Sequence, residues 1–146
     1  MHDRSLWQNL TFRRFIGASA LAQLGSGVFS LAFPWLATIL TRDPLLIGVI
    51  AMAPQLPWLF LALPAGVLTD RLDHRLTIMV CNLVHAGLAL AVLALSVLAE
   101  PGTAALWGLF ALAFLQGSND VLRDNTAQTI LPQVVPKDRL EAANAT

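Results

Sequence analysis

Charged side chains fall in short clusters along the 146-residue chain and leave four stretches free of Asp, Glu, Lys and Arg: 15–41, 44–69, 76–99 and 101–119. Their lengths of 27, 26, 24 and 19 residues each suit a membrane-spanning helix, which needs about 20 mainly apolar residues to cover roughly 30 Å of hydrocarbon. Buried helices of a soluble bundle would each need a polar outer face, and the stretch 76–99 has no charged one. The pattern therefore predicts an all-α membrane protein. Four transmembrane helices are expected at about 14–40, 45–69, 75–98 and 103–123, with a fifth helix beginning near 137–146.

Composition agrees: 56% of residues are hydrophobic and 12% charged, about half the charge usual in globular chains. Nine basic residues balance nine acidic ones, so there is no net field to attract nucleic acid, and none is expected as a partner. Position carries the information. Arg4, Arg13, Arg14, Arg71, Arg75, Arg123, Lys137 and Arg139 fall on one side of the expected spans and Arg42 alone on the other. The positive-inside rule then places the N-terminus in the cytoplasm.

Ala18-Ser19-Ala20 imitates a signal-peptide cleavage site, but only Phe15, Ile16 and Gly17 separate it from Arg14. Such a region needs about 7 to 15 apolar residues, so the first span is expected to be retained. One cysteine, Cys81, excludes a disulfide framework or a multi-cysteine metal centre within one chain. Nor is there a serine–histidine–acid set, a metal-spaced histidine cluster or a phosphate loop, so neither enzymatic chemistry, cofactor nor metal is expected.

Polar residues inside the spans are the candidates for function. Ala20, Gln23, Gly27, Ser30 and Pro34 recur at helical spacing and form one small, polar stripe on the first helix. Close helix packing and a cavity wall both fit that stripe. Pro54, Pro57 and Pro64 interrupt the second run around Gln55, a pattern tolerated in membranes and common where transport proteins bend or open a site. Counted inward from the span ends, Gln23, Gln55 and His85 each lie about 14 to 17 Å deep, near the midplane. His85 fits two roles there, a proton relay or ligand contact, and a neutral ring bonded to a neighbouring carbonyl. The fourth run ends in Gln116-Gly117-Ser118-Asn119-Asp120. Asp120 reads either as a cavity or gating carboxylate or as a solvated helix end paired with Arg123 or Arg75.

The turn after the second span, Gly66-Val67-Leu68-Thr69-Asp70-Arg71-Leu72-Asp73-His74-Arg75, resembles the loop signature of the major facilitator superfamily. Phe12-Arg13-Arg14, Pro34-Trp35-Leu36 and Leu131-Pro132-Gln133-Val134-Val135-Pro136 extend the likeness to its bacterial exporter branch, which includes enterobactin and macrolide efflux proteins. The resemblance implies that Gly66 allows close helix contact, that Asp70 bonds the start of a helix in the other half, and that Leu68, Arg71 and Arg75 complete the loop motif. Departures are visible. Asp73 and His74 stand where the loop usually has glycine and arginine, Ala113 where many proton antiporters have arginine, and Ser26 where the exporter branch often has an acid.

The superfamily fold uses twelve helices in two halves, so the resemblance implies an N-terminal part of a secondary transporter in the inner, plasma membrane. Its expected task is efflux of a drug-like or siderophore-like small molecule, with the lipid bilayer, that substrate and the missing helices or another membrane chain as partners. Alone it should not transport. Gln23, Gly27, Ser30, Gln55, His85, Gln116, Gly117 and Asp120 are the candidate cavity or gating residues. The rival expectations are a dimeric four-helix exporter of the small multidrug type, against which stands the lack of a carboxylate in 15–41, and a non-transporting membrane partner docking through small-residue faces.

Overall fold

The computed structural model describes residues 10–69, 72–98, 100 and 102–134. They form α1 (Leu10–Leu40), α2 (Pro44–Met52), a 3-10 turn (Ala53–Gln55), α3 (Leu56–Thr69), α4 (His74–Leu98) and α5 (Thr103–Val134). Segments Ile16–Leu40, Pro44–Leu61 and His74–Leu98 are long and apolar enough to cross a membrane. The chain is an all-α membrane protein.

The second run is broken where its prolines fall. Pro54 and Pro57 have no N–H to give to the carbonyls four residues back. The chain instead tightens into i to i+3 bonding, with Ala53 N–H donating to Ile50 and Leu56 N–H to Ala53. Pro34 and Pro64, by contrast, lie within continuous helices.

Helix α5 is the axis of the bundle: it packs against α3, α4, the 3-10 turn and α1. Phe29, Phe33 and Ala37 of α1 meet Ile50, Ala53, Val92, Leu109 and Ala113 in the apolar core. Ala113 is wholly buried there, which leaves no room for the longer cationic side chain that the resemblance sets against it. Polar residues do not end α5, because Asn125, Thr126 and Thr129 return their side-chain donors to carbonyls one turn earlier, at 2.8, 2.7 and 3.0 Å. The helix thus continues to Val134, past position 123 where the charge pattern placed the end of the span. Arg13 likewise lies inside α1, which already begins at Leu10.

Three faces run along α1. Phe29, Phe33 and Ala37 point into the core, while Leu21, Leu24, Val28, Leu31, Trp35 and Ile39 are exposed. Such an apolar face is unfavourable in water and at home in lipid. Between these faces runs the stripe of Ala20, Gln23, Gly27 and Ser30, all exposed, with Pro34 half-buried. No helix among the described residues covers this stripe.

Asp73, standing where the loop motif usually has glycine, caps α4. Its carboxylate accepts the Leu76 N–H at 3.0 Å, and its carbonyl accepts the Thr77 N–H and hydroxyl at 2.9 and 2.8 Å. Losing such a cap costs about 1 kcal/mol when Ala replaces it, and only a few tenths with Gly. We expect Asp73→Ala, but not Asp73→Gly, to lower the unfolding midpoint of the detergent-solubilised chain measurably.

Candidate functional site

Four polar side chains from three stretches remote in sequence meet where α1, α4 and α5 converge. Ser26 Oγ donates to Asp120 Oδ1 at 3.1 Å. Gln116 Nε2 lies 3.2 and 3.3 Å from the two Asp120 oxygens and 2.8 Å from His85 Nδ1. An amide nitrogen carries donors only, so His85 accepts at Nδ1 and holds its proton on Nε2. The Nδ1 side of His85 is thus engaged by a side-chain amide, so the relay, ligand and carbonyl roles all rest on Nε2. Edge-on contact with Phe29, at a centroid distance of 5.0 Å, fixes the ring from α1.

Two glycines make this convergence possible. A Cβ at Gly25 would stand 2.7 Å from His85 Nε2. One at Gly117 would collide with the Pro54 carbonyl oxygen and lie 2.7 and 2.8 Å from the carbonyl carbon and Cα behind it. The broken backbone of the second run thus rests directly on α5 beside Gln116. Asn119 adds a tie by donating to the Cys81 carbonyl at 3.1 Å.

Charge enters from one turn further along α5. Arg123 is buried and bonds Asp124 through Nη2 and Nε at 3.0 and 3.3 Å, while Asp120 is 3.7 Å away. Asp120 is therefore not a solvated helix end: α5 continues beyond it to Val134, and the carboxylate serves the cluster.

A cavity of about 140 Å³ opens beside Ser26, Ser30, Gln55, Gln116 and Asp120, with Phe29, Phe33 and Trp58 among its walls. Gln23 faces a different, smaller cleft of about 80 Å³ shared with Asn82, Arg123 and Asp124. Of the three residues placed at one depth, Gln55 lines the first cavity, Gln23 the second, and His85 neither of them. Gly27 offers the carbonyl that accepts the Ser30 hydroxyl at 2.7 Å.

The loop motif is not brought to this cluster. Arg75 is exposed, and nothing lies within 4 Å of a Cβ built on Gly66. The close contact implied for Gly66 is absent among the described residues and is found at Gly117 and Gly25 instead. Asp70, Arg71 and the side chain of Leu68 lie outside the described residues. Ser26 was the one cluster member set aside as lacking an acid. Its role depends on Asp120, 94 positions away, and the run Gly25-Ser26-Gly27 by itself carries no sign of it.

A helical membrane bundle with a polar cluster among its helices defines a class that the comparisons make specific. The transmembrane secretion effector family matches residues 5–146, and the chain belongs to that family, within the major facilitator superfamily. The multidrug efflux pump Tap of Mycolicibacterium fortuitum is 33% identical over 124 residues, covering 80% of this chain and 28% of the pump. The chain thus spans little more than a quarter of that pump's length. No solved structure matches the chain.

Proposed function

We propose that this chain forms the N-terminal part of a longer secondary transporter in the plasma membrane, exporting a drug-like or siderophore-like small molecule through a path walled by α1 and α5. The observation that carries this is the Ser26–Asp120–Gln116–His85 cluster. Ser26 lies ten residues into Ile16–Leu40 and His85 eleven into His74–Leu98, which puts both about 15 Å from the ends of those segments. Asp120, bonded to Ser26 and Gln116, shares that depth. This supports α5 as a fourth crossing even though its polar residues lower its hydropathy, and the eight-to-one split of basic residues supports a cytoplasmic N-terminus.

Magnitudes favour a working site over a structural tie. An aspartate at the centre of a membrane helix costs about 2.5–3.5 kcal/mol, whereas an interhelical hydrogen bond in lipid returns about 0.6 kcal/mol on average. Only the Ser26 bond reaches Asp120 from another helix, since Gln116 and Arg123 lie on α5 itself, so interhelical bonding alone does not recover that cost. Residues of this kind near the midplane mark substrate or ion pathways. The exposed stripe of Gln23, Gly27 and Ser30 calls for water or further protein beside it, which the remaining helices would supply. In this reading Gln55 and Gly117 shape the cavity, and Gly66, Leu68, Asp70, Arg71 and Arg75 form the cytoplasmic gate.

Efflux of ethidium from preloaded cells tests the proposal. Cells making a twelve-helix carrier that contains this segment are expected to lose dye faster than cells making the 146-residue chain alone. Equal, rapid efflux by the short chain would contradict it.

A further inference from the structure

We propose that the Gln116 amide couples the protonation of His85 to that of Asp120, so that an ionised Asp120 keeps the His85 ring neutral and the two groups take up protons together. The inference concerns the cluster on which the transport proposal rests, yet it is tested without any measurement of efflux.

One nitrogen touches both partners. Gln116 Nε2 stands 3.2 and 3.3 Å from the Asp120 oxygens and 2.8 Å from His85 Nδ1. An ionised carboxylate only accepts, so the amide must turn its nitrogen toward it, and that nitrogen's second hydrogen then goes to Nδ1. A proton on Nδ1 would point straight at this N–H donor, a contact that two donors cannot hold at 2.8 Å. Turning the amide over would give Nδ1–H an acceptor but set Oε1 against the Asp120 carboxylate. Only when Asp120 is protonated as well does the turned amide suit both neighbours, its oxygen accepting from the carboxyl O–H and from Nδ1–H. The cluster thus has two self-consistent states, and they differ by two protons exchanged with solvent.

Packing closes the easier ways out. Gln116 is 1% exposed, and the next residue, Gly117, is pressed on the Pro54 backbone, so the amide has no room to swing aside. The His85 ring is held between the edge contact with Phe29 at 5.0 Å and Gly25, where an added Cβ would stand 2.7 Å from Nε2. Direct attraction between Asp120 and a charged imidazole acts in the opposite sense. It is blunted by Arg123, 3.7 Å from Asp120 and itself bonded to Asp124 at 3.0 Å. Cys81, buried one turn before His85 on α4, is the other titratable side chain near the ring. The stretches 15–41 and 44–69, which bring α1, the 3-10 turn and α3 to the cluster, hold no charged residue, histidine or cysteine.

Nitrogen-15 NMR of the chain in detergent micelles, with His2 and His74 replaced by Gln so that His85 alone gives imidazole signals, reads which ring nitrogens carry protons. We expect the neutral ring to be protonated on Nε2. Asp120→Asn supplies a donor for Gln116 Oε1 and frees the amide to turn. It should raise the ratio of doubly protonated to neutral ring, at about pH 6.5, by roughly tenfold, the scale of one buried hydrogen bond. In a Gln116→Leu background, whose side chain neither donates nor accepts, the same substitution should lower that ratio, as removal of a neighbouring negative charge ordinarily does. A neutral ring protonated on Nδ1, or a ratio that does not rise with Asp120→Asn while Gln116 is present, would overturn the proposal, and so would an equal rise in the Gln116→Leu background.

Discussion

Gly117→Ala is expected to destabilise the bundle by about 2–3 kcal/mol, the upper range for overpacking a close-packed site. The added methyl would meet the Pro54 carbonyl group and Cα, all backbone. No flexible side chain is there to swing aside, and Pro54 sits in a 3-10 turn whose own bonding is already shortened. The turn and α5 must therefore separate, which loosens the wall that carries Gln116. Gly48 provides the control, since nothing lies within 4 Å of a Cβ there. Gly48→Ala should be neutral or stabilising by up to about 1 kcal/mol, the helix-propensity difference. Denaturant unfolding of the chain in mixed micelles, followed by helical signal, measures both.

Asp120→Asn is expected to reduce efflux by the complete carrier roughly tenfold or more at unchanged membrane abundance, a loss on the scale of one removed charged contact. The amide keeps the shape of the side chain and can still meet the Ser26 hydroxyl, so the change removes charge with little change in packing. Asp124→Asn is the matched control. That carboxylate pairs with Arg123 at 3.0 Å and does not line the Phe29–Trp58 cavity, so its neutralisation should reduce efflux less. Dye efflux normalised to carrier content by immunoblot compares the two.

Much of this architecture was legible in the spacing of charges, because lipid enforces it. A spanning helix must satisfy its backbone internally and present apolar side chains outward, so Ile16–Leu40 and His74–Leu98 announce themselves by length and composition. The prolines of the second run marked the break, although its form as a 3-10 turn set on Gly117 follows from three-dimensional packing. Gln116, Asp120 and His85 stood out as costly groups in apolar runs. Ser26 did not, since a hydroxyl in a helix can always bond its own backbone, and only the approach of α5 turns it toward Asp120. The solvated-end alternative for Asp120 arose in the same way, from charges that look terminal in sequence, whereas α5 runs on to Val134 and buries Arg123. Gly66, singled out by its motif, has no close contact among the described residues, and packing alone reveals the tight positions at Gly25 and Gly117.

Thiol labelling of intact cells tests most directly whether α5 crosses the membrane with its polar cluster at mid-depth. In a Cys81→Ala background, single cysteines replace Arg42, Leu72, Gly102 and Gln128, all exposed positions, and a membrane-impermeant maleimide is added. We expect Arg42→Cys and Gly102→Cys to label at once, and Leu72→Cys and Gln128→Cys to label only after permeabilisation. Labelling of Gln128→Cys from outside intact cells, with Gly102→Cys also labelled, would show that α5 does not cross, and would remove Asp120 from the path assigned to it.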